Sequence, residues 1–133
     1  MSRELSLAEI FQLGYYWETK ILLTAIRLDV FSVLDGKQKT LHDMADRLSA
    51  HGQTLELLLN ALVAMRLLVK EGDSYGNSAT AVTHLVRSSY QYIGHLLLLH
   101  DAEWDNWGKL EQTIRTGQRS VDRHVFETDP ELG

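Results

Sequence analysis

The residues best equipped for chemistry cluster toward the C-terminal third of the chain: His95, His100 and Glu103, then Trp104 and Trp107. Two histidines and a carboxylate suggest either a metal site or proton transfer. The spacing argues against a metal. His95 and His100 lie five residues apart on a predicted helix, on different faces, whereas paired ligands on one helix need a spacing of three or four. His100 and Glu103 make a single i,i+3 pair, and a dimetal site in a helical bundle needs more carboxylates. His100 is therefore expected to be a partly buried histidine with a hydrogen-bonded partner. Trp104 and Trp107 fall on one helical stripe with Ile93, Leu97, His100 and Ile114, which reads either as core packing or as the wall of a site for a flat ligand.

Other chemistries lack their residues. There is no cysteine, which removes disulfides, thiol catalysis and thiolate-bound zinc. None of the nine glycines is spaced Gly-x-Gly, so the loop that cradles a dinucleotide or related cofactor is missing. Gly72 and Gly76 form a Gly-x-x-x-Gly string, but in a predicted hairpin rather than an apolar helix, where that spacing carries no packing meaning.

The elements that must position these residues follow from composition and period. The 133 residues are 44% hydrophobic and 23% charged, the profile of one globular domain. A net charge of −5 disfavours nucleic acid or an anionic membrane as partner. The densest apolar stretch, Ile93 to Leu99, falls far short of the roughly 18 residues that span a bilayer. With a Met-Ser-Arg-Glu-Leu start and no export signal, the expectation is a cytoplasmic protein without membrane or nucleic-acid contacts.

A capping box at Ser6 and Glu9 opens a long predicted helix. It carries two apolar stripes: Leu7, Ile10, Phe11, Gly14, Ile21, Ala25 and Leu28 on one side, and Leu13, Tyr16, Leu23, Ile26 and Val30 on the other. A monomer's surface helix needs one such face. The second implies a partner, and Leu23 and Ile26 are expected at that interface. A short helix over Val30–Leu34 stops at Gly36. Thr40 caps a helix through Leu41, Met44, Ala45 and Leu48, with Gly52 near its end, and Thr54 starts another with Leu55, Leu58, Leu59, Leu62 and Met65 inward. Leu67–Lys70 and Tyr75–Asn77, joined by a turn over 71–74, predict a β-hairpin. Helix, turn, helix, hairpin is the winged-helix order. After a short amphipathic piece (Val82, Leu85, Val86), one long helix is predicted from about Tyr92 to Thr116, ending at Gly117. The fold class is mainly α: a winged-helix core with long flanking helices.

The order of these pieces resembles the N-terminal dimerisation domain of class I S-adenosylmethionine-dependent small-molecule O-methyltransferases of the caffeic-acid and bacterial polyketide-tailoring type. The resemblance rests on Ile21 to Leu34, on Leu41 to Leu48 with Leu57 to Leu68, on the hairpin Val69 to Asn77, and on Trp104 to Gly117 followed by Phe126-Glu-Thr-Asp-Pro130. Ser78-Ala-Thr80 stands where the family usually has Thr-Pro, and Ser78 or Thr80 can still cap the next helix. The resemblance implies an intertwined homodimer, with residues 1–117 as the dimerisation domain and 118–133 as the start of a linker toward a catalytic Rossmann-like domain. It implies that the intact enzyme moves a methyl group from S-adenosylmethionine to a phenolic or similar hydroxyl by in-line attack, and that this chain alone binds no cofactor and is inactive. It implies an acceptor surface at Trp104, His100 and Leu97, with Trp107 packing the domain. The alternative is a dimeric winged-helix transcriptional regulator. Against it, residues 40–80 hold Arg47, Arg66 and Lys70 against Asp43, Asp46, Glu56, Glu71 and Asp73, the wrong charge balance for phosphate contacts.

Overall fold

The structure, a computed structural model, describes residues 3–119. It is mainly helical, with one small antiparallel sheet. The helices are α1 (Leu7–Leu13), α2 (Trp17–Leu28), α3 (Val30–Leu34), α4 (Leu41–Leu48), α5 (Gly52–Ala64), α6 (Ala79–His84), α7 (Gly94–Ala102), α8 (Trp104–Trp107) and α9 (Leu110–Thr116). The strands are β1 (Lys39–Thr40), β2 (Leu68–Glu71) and β3 (Ser74–Asn77), in the order β1-β3-β2. None of the described helices is long and apolar enough to cross a membrane.

The starts of α1, α4 and α6 follow local chemistry. Ser6 Oγ accepts from the Glu9 amide at 3.2 Å and Glu9 Oε1 accepts from the Ser6 amide at 3.1 Å, closing the capping box. Thr40 caps α4 through the Asp43 amide, and Ser78 caps α6 through the Ala81 amide. The hairpin is tighter than predicted. Glu71 pairs with Ser74, leaving a two-residue loop of Gly72 and Asp73, and Gly72 takes the positive φ of 61° that such a loop needs. Strand β1 has no signature of its own. It exists because Lys39 and Thr40 pair with Tyr75 and Ser74. Gly76, buried in the central strand, lets the approach to β1 pass closely: a Cβ there would stand 3.2 Å from Gln38 Cγ.

Three expectations change. The first long helix is two, because Gly14 and Tyr15 donate to the carbonyls of Phe11 and Gln12, three residues back, which tightens and ends α1. The second long helix is a kinked run of α7, α8 and α9. Gly52 is not the end of α4. Ser49 takes the left-handed C-cap position (φ 53°), and Gly52 is the first residue of α5, whose N-cap is His51.

The core gathers Ala25 and Ile26 of α2, α3, Met44, Leu55, Leu59 and Leu62 of α5, Leu68, Tyr75, Ala81, Leu85, Val86 and Leu98. Leu23 and Ile26, expected at a partner interface, are 1% and 3% exposed and belong to the chain's own interior. Both stripes turn inward on α2, where Ala25 of the first is as buried as Leu23 and Ile26 of the second, and both lie exposed on α1, a division along the chain that the period does not show. Asn77 ties the hairpin to α3: its Nδ2 donates to the carbonyls of Phe31 at 2.9 Å and Asp35 at 2.7 Å. Asn77→Asp removes both donors and sets a carboxylate against two carbonyls. It should destabilise the domain by about 2–3 kcal/mol in urea unfolding, and a change under half of that would deny the clamp its role.

Candidate functional site

The stripe predicted on one long helix is split by the kink at Glu103. Leu97 is half-buried and packs on the core. His100 is exposed at the end of α7 and, among the described residues, has no hydrogen-bond partner, contrary to expectation. Glu103 accepts from Asn106 Nδ2 at 3.0 Å instead. Trp104, the first residue of α8, is half-buried. Trp107, expected to pack the domain, is 68% exposed in the single chain. Trp104 and His100 thus stand on either side of the kink, and Leu97 packs against the core.

An ionic cluster absent from the sequence reading holds this bend. Asp101 Oδ1 accepts from Lys20 Nζ at 2.8 Å, and its other oxygen accepts from Arg27 Nε. The Asp101 side chain is only 10% exposed. Lys20 and Arg27 stand seven residues apart, on one face of α2, so a single carboxylate locks α2 against α7. Lys20 Nζ also lies 4.7 Å from the Trp104 ring centroid, a cation–π contact. A clue was available: Asp101 lies two residues after the Leu-rich run 96–99 of α7, where an ionisable group needs partners.

Burial pushes the Asp101 carboxyl up, but the hydrogen bonds and charges of Lys20 and Arg27 outweigh it and hold the group below its ordinary range. A lowered folded-state value means that ionised Asp101 stabilises the fold at neutral pH. That stabilisation fades as pH falls below about 4 and through the lower folded-state value. Asp101→Asn should lower stability at neutral pH and narrow the gap to the unmodified chain as pH falls, read by thermal unfolding across an acid series. Parallel curves would remove Asp101 from the acid response.

The remaining unusual surface is apolar. Leu7 (71% exposed), Ile10, Phe11 and Leu13 (78%) stand free on α1, which buries no residue, with Tyr15, Tyr16 and Trp17 at the α1–α2 break. At the other end Trp107, Leu110 and Ile114 (76%) are exposed along α8 and α9. Patches of this kind mark an interaction surface.

Comparison with known proteins places the chain in its class. Residues 11–87 match the model of the O-methyltransferase dimerisation domain. The tetracenomycin polyketide synthesis 8-O-methyl transferase TcmO of Streptomyces glaucescens is 35% identical over 108 residues, 80% of this chain and 32% of that protein. The N,N-dimethyltransferase OxyT of Streptomyces rimosus is 32% identical over 104 residues, 77% of this chain and 30% of that protein. An O-methyltransferase family protein from Burkholderia thailandensis superposes with a TM-score of 0.83 at 26% identity, covering 98% of this chain and 40% of its own. The chain belongs to the O-methyltransferase dimerisation-domain family. It spans about a third of the length of these curated relatives.

Proposed function

We propose that this chain is the dimerisation and acceptor-wall module of an S-adenosylmethionine-dependent O-methyltransferase acting on a small phenolic or similar hydroxyl compound. Residues 1–117 form the module and 118–133, most of which lie outside the described residues, lead toward a catalytic domain. The observation that carries the reading is the division of apolar surface. The core is filled by α2 to α7 and the hairpin, while large apolar side chains stand uncovered on α1, α8 and α9. Two-fold pairing with a second copy covers the same patch on both chains.

We read α4, α5 and the hairpin as a winged helix in a structural role. The net acidity of residues 40–80 and the methyltransferase relatives favour that role over DNA binding in a dimeric transcriptional regulator. Trp104 and His100 are proposed to face the acceptor, where an indole suits a flat phenolic ring by stacking and exclusion of water, and Leu97 supports that wall from behind.

The residues present do not fit the methyl donor. Class I donor sites use a glycine-rich turn between a parallel strand and a helix. Among the described residues the sheet is wholly antiparallel, and no Gly-x-Gly occurs anywhere in the chain. Donor binding and methyl transfer are therefore assigned to a separate catalytic domain. Calorimetry tests this. The 133-residue chain titrated with S-adenosylmethionine should give no saturable heat, and a saturable micromolar signal would put a donor site in this segment.

A further inference from the structure

We propose that Lys20 is a positioning residue for the acceptor wall: held by Asp101, its ammonium fixes the plane of the Trp104 indole and so ties acceptor fit to α2. This rests on the reading of Trp104 as an acceptor-facing residue.

Trp104 follows directly on the kink at Glu103, whose side chain gives α8 no cap. α8 is only four residues long, with no buried residue, so its own packing does little to orient the ring. The contact from outside the run comes from α2. Lys20 Nζ sits over the indole face at 4.7 Å and is bonded to Asp101 Oδ1 at 2.8 Å. Lys20 Nζ touches both the Asp101 carboxylate and the Trp104 ring, so it bridges the two across the bend. Arg27 takes the second carboxylate oxygen, which leaves the first to Lys20. A lysine stem carries several rotatable bonds. It presses on one ring face only because the buried carboxylate holds its end.

The electrostatics favour this arrangement over a free lysine. The Lys20 side chain is 43% exposed, but its ammonium is held by the Asp101 side chain, which is only 10% exposed, so the cation is pinned at the ring instead of free in solvent. A cation over the indole prefers the centre of the face, so the ring is held by direction as well as by contact. Removing the charge frees the ring to turn about its own side-chain bonds while α2 and α7 stay joined through Arg27.

The test uses Lys20→Met, which keeps the stem and loses the charge, and Lys20→Arg, which keeps a cation over the ring. Two readouts are compared: the Trp104 indole N–H signal by NMR in the 133-residue chain, and acceptor KM and kcat in the enzyme read from the full open reading frame. Lys20→Met should move the indole signal and raise acceptor KM roughly three- to tenfold with kcat nearly unchanged, the range a lost cation–π contact can supply. Lys20→Arg should restore both. Asp101→Asn, which releases the lysine end, should move the indole signal in the same direction as Lys20→Met. If Trp104→Ala raises KM while Lys20→Met leaves the indole signal or KM in place, the positioning role is overturned and the acceptor wall stands. If Trp104→Ala itself leaves KM unchanged, the wall reading fails, and the acceptor role of Lys20 fails with it. Unfolding temperatures of the variants exclude a merely structural loss: Lys20→Met should stay within a few degrees of the unmodified chain, and a collapse of the fold repeated in Lys20→Arg would overturn the proposal.

Discussion

A chain carrying Phe11→Glu and Leu13→Glu together is expected to sediment as a folded monomer where the unmodified chain sediments as a dimer. Both side chains stand well out from the single chain, 62% and 78% exposed, so neither touches the core whose loss would unfold it. The capping box at Ser6 and Glu9 lies outside the substitutions and keeps the start of α1. On a two-fold interface each substitution appears twice, so the pair sets four carboxylates into a surface built from leucine, isoleucine and phenylalanine. The dissociation constant should rise at least about a hundredfold, the equivalent of roughly 2.7 kcal/mol. Surface changes of this kind alter monomer stability by only about half a kcal/mol, so circular dichroism should be preserved. The result that denies the interface is either a unmodified chain that is already monomeric at micromolar concentration or a double variant that still pairs.

Leu23→Glu is expected to do the opposite: to abolish the fold whatever the state of association. Leu23 is 1% exposed on α2, whose buried residues, Leu23, Ala25 and Ile26, are all apolar and offer a carboxylate no side-chain partner. Burying that group without a partner costs on the order of 4 kcal/mol or more, a large part of a small domain's total stability. The expected observation is loss of the cooperative urea transition, with Leu23→Ala retaining it at a cost of about 3 kcal/mol. A soluble, cooperatively folded Leu23→Glu monomer would return this residue to the interface. The two variants together separate what the helical period merges, since Leu13 and Leu23 fall on one predicted stripe and lie in different environments.

That contrast shows where the sequence is legible. Features decided by residues a few positions apart were readable: the caps at Ser6, Thr40 and Ser78, the hairpin around Gly72, and the end of α9 at Gly117. Features decided at a distance were not. Strand β1 is two residues long and is made by its pairing with Tyr75 and Ser74. The break at Gly14–Tyr16 leaves the apolar period intact, so nothing in the pattern announces it. At the candidate site, the tryptophans and His100 could be picked out by type, but their exposures could not: Trp107 looked like core and lies open. Asp101 is more than seventy positions from Lys20 and Arg27, and only the fold brings them together.

The arm formed by α1 has a thermodynamic consequence of its own. A seven-residue helix with no buried side chain is below the length at which helices persist in water, and its hydrogen bonds open at almost no cost. If α1 pairs two copies as proposed, its amides belong to a separate cooperative unit from those of α5, with exchange protection conferred by association rather than by folding. The ordering entropy of the arm, about 1–2 kcal/mol per backbone residue fixed, is charged against the binding constant and not against the stability of the domain. On the proposed pairing, the hydrogen bonds between Ser6 and Glu9, together with the Arg3 contact to Glu9, would act as determinants of affinity between copies. Helix propensity at positions 7–13 becomes a means of tuning assembly that leaves the melting of the core untouched.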